Sequence, residues 1–218
     1  MNAPALRGET RWPAAGAVIA VIVAQVLLPG SLLPGPNWLL PASEGLLVLG
    51  LIAADPVRLS PESKDLRLLA LVVIAAVGAV NTVSLVLLIH KLVSGGFDNG
   101  AALLGAAATV WMTNTVVFGL LYWEIDRGGP LGRVGARPAP KHVDLQFPQD
   151  GSPDLAAAGW RPSFFDYLFV SLTASTAFSP TDTLPLTHRA KLLMGLQALV
   201  SLLTVGLVAA RAVNVLKG

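Results

Sequence analysis

Three groups of side chains in this sequence have the types and spacing to do chemistry. Asp182 lies between Thr181 and Thr183, just after Ser179-Pro180. One carboxylate flanked by hydroxyls can ligate a cation or supply a negative ring at a pore mouth. An Asp in that position can equally cap the next turn or sit at a membrane interface. Gln197, Ser201 and Thr204 are spaced i, i+4, i+7, so a helix puts them on one face. Such a stripe either lines a pathway or hydrogen-bonds a neighbouring helix. Asn81 and Asn114 fall at comparable depth in two apolar segments and read as an interhelical polar contact. Asp166 has Arg161 close by and reads as a structural partner or a headgroup-level acid. Glu124 and Asp126, in YWEIDRGGP, could be the acids of a membrane-interface hydrolase, but they read as a helix end followed by a turn.

Other chemistries lack their residues. The three histidines, His90, His142 and His188, have no metal-ligand spacing. No Ser/His/Asp constellation, phosphate loop or dinucleotide fingerprint occurs, and there is no cysteine. The expectation is therefore no catalytic residue, no metal, no cofactor and no enzyme. The formal net charge is +2 with basic residues spread through the loops, which excludes a nucleic-acid patch.

The elements that position these residues are set by hydropathy. Of 218 residues, 54% are hydrophobic and 13% charged, where a soluble domain carries about 25% charged residues. The deficit is concentrated in long uncharged runs, so the fold expected is all-α and polytopic in a lipid bilayer. Ala, Leu, Val and Arg dominate while Lys is sparse, pointing to a multi-pass protein of the bacterial inner (plasma) membrane. The spacing predicts segments over 13–33, 38–54, 66–91 and 99–123, with Tyr122 and Trp123 at the interface. The first segment resembles a signal peptide but lacks a small-x-small cleavage site, and reads as a retained span. Gly100, Ala102, Gly105, Ala106 and Thr109 give the fourth segment a small-residue face for close packing. Residues 124–160 are Gly/Pro-rich and read as an exposed loop with little regular structure. A short apolar helix at 164–176 then meets a polar, Pro-interrupted break, Ala177 to Pro185, before a long helix from 188 to 216.

Orientation follows from Lys and Arg. The N-terminal tail carries two, the linker before the third segment three, and the large loop five, whereas the opposite turns carry none and one. The positive-inside rule puts the tail and the large loop in the cytoplasm. If 164–185 crosses as well, the result is six spans with both ends on that side.

From about residue 115 to 216 the chain resembles the pore module of the tetrameric potassium-channel superfamily. The matching pieces are FGLLYWEID, the 124–160 loop, FFDYLFVSLTAST, AFSPTDTLP and RAKLLMGLQALVSLLTVGLVAARAV. Ser171 and Thr176 stand where that family has its pore-helix Ser and filter-base Thr, and Asp182 with Pro185 reproduces the D-x-x-P after the filter. Arg189 and Ala210–Val213 also match. The filter T-V-G-Y-G is replaced by Ala177-Phe178-Ser179-Pro180-Thr181, so both glycines that let successive carbonyls face an ion are gone. Ser201 replaces the hinge glycine. The resemblance extends to a family of bacterial membrane proteins with the same altered stretch.

What this implies is a division into N-terminal membrane helices (1–98) and a pore-like module (99–218). The module has an outer helix, an exposed loop, a broken or re-entrant segment and an inner helix, giving about five to six membrane segments. Thr176, Ala177, Phe178, Ser179, Pro180, Thr181 and Asp182 are the filter-like residues, with Gln197, Ser201 and Thr204 lining the inner helix. The partners implied are the bilayer, a monovalent cation and further copies of the chain, four if assembly follows the family. The alternative is a non-conducting six-span protein that binds a small ligand or a protein.

Overall fold

The computed structural model describes residues 12–26, 63–94, 100–133, 142–176 and 182–215, with isolated helical positions at 42, 45, 46 and 49. Five helices organise it: α1 (Trp12–Val26), α2 (Ser63–Val93), α3 (Gly100–Ile125), α4 (Phe164–Thr176) and α5 (His188–Val215). The expected second segment, 38–54, lies outside the described residues apart from those isolated positions. α2, α3 and α5 contain apolar spans, Ala70–Val93, Ala101–Gly128 and His188–Ala209, each long enough to cross a bilayer. The protein is an all-α membrane protein.

α3 is the central element, with α1, α2, α4 and α5 packed around it. Its small-residue start lets neighbours approach: Leu103, Ala106, Ala107 and Val110 pack with Leu85 and Leu88 of α2 and Val200 of α5. Further along, Gly119 makes room for α4, since a Cβ there would come within 3.3 Å of the Leu168 Cα. α2 runs antiparallel to α3. Arg67 meets Glu124 at one end, Asn81 donates to the Val110 carbonyl (3.2 Å) midway, and Leu85 packs with α3's start beyond.

α4 begins on the loop side, where the Asp166 carboxylate accepts from the Ser163 amide (2.7 Å) and hydroxyl (2.8 Å), closing the helix start. Asp166 thus serves its own helix end. α4 then descends antiparallel to α3, with Tyr167 beside Asp126, Ser171 beside Thr115 and Ser175 beside Trp111. Its 13 residues reach only about 20 Å, short of the roughly 30 Å hydrocarbon layer. By Leu184–Pro185 (β2) the chain is back at the loop, paired antiparallel with Leu145–Gln146 (β1). The start of α4 and the strand Leu184–Pro185 therefore lie on the same side.

Of the two courses the sequence leaves open for this segment, a broken span or a re-entrant hairpin, the described residues follow the second. α5 starts on the loop side and runs down α3, with Tyr122 beside Gln197 and Asn114 beside Ser201, so its far end lies with the start of α3. Loop and C-terminal helix end are on opposite sides. Counting loop arginines treats them as solvated, but Arg133 is buried, and Arg127 is bonded to Asp126 and Asp150. The described part of the loop carries more regular structure than its Gly/Pro-rich composition implies: besides β1 it has short helical turns at Asp126–Gly128, Gly129–Arg133, Pro148–Gly151 and Pro153–Leu155.

Candidate functional site

Two buried polar clusters hold the re-entrant hairpin. The deeper one centres on Gln197, whose Nε2 donates to the Ser171 carbonyl (2.7 Å), the Ser171 hydroxyl (2.6 Å) and the Ser175 hydroxyl (2.7 Å). Its Oε1 accepts from the Tyr122 hydroxyl at 2.6 Å. On the other flank of α4, Ser171 Oγ donates to the Thr115 carbonyl (2.6 Å) and Thr115 Oγ1 to Ser175 Oγ (3.0 Å). The Trp111 indole donates to the Ser175 carbonyl at 3.2 Å. Asn114 Nδ2 completes the set, donating to Ser201 Oγ (2.9 Å) and the Gln197 carbonyl (3.3 Å). Without water in the hydrocarbon, these groups can be satisfied only by one another. The network therefore fixes the lower end of α4 about 20 Å below the loop end of α3, by the rise from Trp111 to Ile125.

The upper cluster is ionic and sits where α3 gives way to the loop. After Ile125 the backbone turns left-handed at Arg127 (φ 53°), Gly128 (φ 78°) and Gly129 (φ 79°). Gly129 is needed for space as well as for its dihedral: a Cβ would meet the Glu124 carbonyl oxygen at 2.9 Å. The turn brings together Glu124, Asp126, Asp144 and Asp150 with Arg67, Arg127, Arg133 and Arg189, four carboxylates and four guanidiniums. Asp126 Oδ1 accepts from the amides of Asp144 (2.8 Å) and Leu145 (3.3 Å). Its Oδ2 accepts from the Tyr167 hydroxyl (2.7 Å) and Arg127 Nε (3.2 Å). Arg133 lies over the Trp123 and Tyr167 rings at 5.8 Å and 4.9 Å and donates to the Trp123 carbonyl (2.8 Å). The Tyr167 hydroxyl donates to Asp126 and accepts from Arg133 Nη1 at 3.3 Å, so it bridges the two.

The expected site residues divide. Thr176 is exposed at the end of α4, its hydroxyl donating to the Thr173 carbonyl (2.8 Å). Ala177, Phe178, Ser179, Pro180 and Thr181 lie outside the described residues. Asp182 is exposed in a bend ahead of β2, while Thr183 next to it is buried. Gln197, Ser201 and Thr204 do share one face of α5, but it is turned into the protomer, with exposures of 0%, 0% and 2%. The inner-helix lining assignment is therefore corrected: Gln197 and Ser201 bond across helices, and Thr204 donates to the Val200 carbonyl (2.8 Å). Past its first turn, what α5 leaves exposed is aliphatic, including Leu192, Leu196, Leu199 and Leu203. Asn81 and Asn114 each bond across helices, to Val110 and to α5. Tyr122 and Trp123 are fully buried inside the bundle.

Sequence reasoning missed Trp111, Thr115 and Ser175 as supports of α4, and the whole role of Asp144. The hydroxyl periodicity of α4 was available: Ser171 and Ser175 are i, i+4 and share a face. Asp144 carried no such signal. Among the described residues no group of three or more His, Cys, Asp or Glu is placed to hold a metal. Compared with known proteins, the chain matches no family model, no curated protein and no solved structure.

Proposed function

We propose that residues 99–218 form a channel-pore-like module that assembles with further copies of the chain, four by the resemblance, around a monovalent-cation pathway. The observation that carries this reading is the hairpin: α4 ends about halfway down α3, and the chain returns to the side it came from. A helix C-terminus at that depth presents carbonyl oxygens with the negative end of the helix dipole, a setting favourable to a cation. Broken backbone inside a bilayer is tolerated only where protein covers it or where it lines a watery cavity. The exposed Phe165, Phe169 and Leu172 of α4 and the aliphatic outer face of α5 provide the surface for neighbouring copies. Because the filter-like stretch lacks both glycines, potassium selectivity by a ring of carbonyls is not part of the proposal. The membrane proposed is the bacterial plasma membrane, on the Arg-over-Lys composition, and no catalysis is assigned.

One observation favours a second reading, a non-conducting membrane protein that binds a ligand or partner. The polar stripe of α5 is consumed inside the protomer, leaving no polar inner-helix lining from Gln197, Ser201 and Thr204. Cation flux into liposomes carrying the purified oligomer separates the two. Flux that falls or changes ion preference in Asp182→Asn supports the pathway. Sealed liposomes with parent protein, and no change on substitution, overturn it in favour of the second reading.

A further inference from the structure

The return strand of the hairpin is held by one loop residue. Asp144 is fully buried, and all its polar groups are engaged. Its amide donates to Asp126 Oδ1 at 2.8 Å, which ties it to the end of α3. Its carbonyl accepts from the Leu186 amide at 2.8 Å. Its carboxylate accepts from the Thr187 hydroxyl (2.5 Å) and Arg189 Nε (2.5 Å), with a second bond from the Arg189 terminal nitrogen. Beside these contacts the β1–β2 ladder is only two residues long, Leu145 opposite Pro185 and Gln146 opposite Leu184. The end of α4 and the return strand thus have separate mounts, the Gln197–Ser175 network below and Asp144 above.

We propose that Asp144 is a latch through which the 142–160 loop controls the hairpin's return strand and hence the setting of Asp182. With the latch closed, Leu184–Thr187 is registered against β1 and the start of α5 is fixed to the end of α3. Opening it frees the return strand without disturbing α4, whose supports lie on α3 and lower on α5. The lower mount is neutral and buried, whereas the upper one ends in a guanidinium that is 58% exposed. Something acting from the aqueous side reaches the upper mount first. The latch rests on contacts alone; its effect on ion flux rests on the pathway reading.

The test is amide hydrogen exchange of the full-length protein in lipid nanodiscs. Asp144→Asn and, should that variant fold poorly, Arg189→Gln each remove charge-assisted hydrogen bonds. Exchange over 184–187 should rise roughly tenfold or more, with 164–176 and 194–205 unchanged. Because the chain has no cysteine, Gln146→Cys with Leu184→Cys can be oxidised across the ladder in the Asp144→Asn background. That bridge should return exchange to the parent rate. Unchanged exchange over 184–187, or equal loosening of α4 and α5, overturns the latch. In liposomes the same substitutions should alter cation flux and the bridge restore it. Parent protein that passes no ion defeats the pathway reading, while the exchange result still decides the latch.

Discussion

Tyr122 and Gln197, 75 positions apart in the chain, meet through a 2.6 Å hydrogen bond inside the helical bundle. The tyrosine occupies one end of the glutamine amide, and the two serines of α4 occupy the other. Replacing Gln197 by Leu leaves Tyr122 and both serines without their shared partner in a medium that offers no substitute. A loss of about 3 kcal/mol is expected. Tyr122→Phe removes one bond and should cost about 1 kcal/mol. Reversible unfolding in mixed micelles measures both, and equal losses would mean that Gln197 is not the hub.

Asp126→Ala should be the most damaging substitution at the loop end of the bundle. It removes the acceptor for the Asp144 and Leu145 amides, for Tyr167 and for Arg127, and leaves three buried donors without it. Leaving buried donors unpaired costs about 1–3 kcal/mol each, so a loss of about 3–5 kcal/mol is expected. Faster proteolysis at exposed Arg161, measured on the intact membrane protein, is the expected sign that the loop has come away.

Two glycines separate dihedral strain from collision. Gly159 has φ +70° with nothing within 4 Å of the place a Cβ would occupy, so Gly159→Ala should cost about 1 kcal/mol. Gly129 has φ +79° and would also drive its methyl into the Glu124 carbonyl and towards Arg67 Nε, 3.3 Å away. Gly129→Ala should cost about 2–3 kcal/mol, read from the shift in thermal unfolding.

Sidedness follows from the re-entrant course of α4. A cysteine at Ser152, in the loop, and one appended after Gly218 should react from opposite faces of a sealed vesicle with a membrane-impermeant maleimide. Reaction from the same face would mean that 164–185 crosses after all.

The helices were legible because the chain writes them as uncharged runs ended by Pro, Gly or charge. Those punctuation marks give α4 its observed bounds and α5 its observed start. The number of crossings was not legible. Thirteen apolar residues followed by Ser-Pro-Thr-Asp suit a broken span as well as a hairpin, and what decides is the two-residue pairing with β1, which leaves almost no pattern. The Gln197, Ser201 and Thr204 stripe shows the other limit: spacing reveals a common face, but not whether that face turns to a neighbour or to an opening. Asp144 lay furthest from view. It falls in the Gly/Pro-rich stretch that reads as an exposed loop, yet its partner Arg189, 45 positions later, draws it into the protein.

The chain order of these partners has a consequence for biogenesis. α3 emerges from the ribosome with Glu124 and Asp126 at its end, but Asp144 and Tyr167 follow only after a further 18 and 41 residues. The serines of α4 wait longer still, for Gln197. A nascent chain stopped before that glutamine would hold a half-buried, hydroxyl-rich helix with no claim on the bilayer, so the insertion machinery must shelter the hairpin until the final helix arrives. Truncations that remove the last helix should therefore be recognised and degraded by membrane quality control instead of accumulating as shorter, stable products.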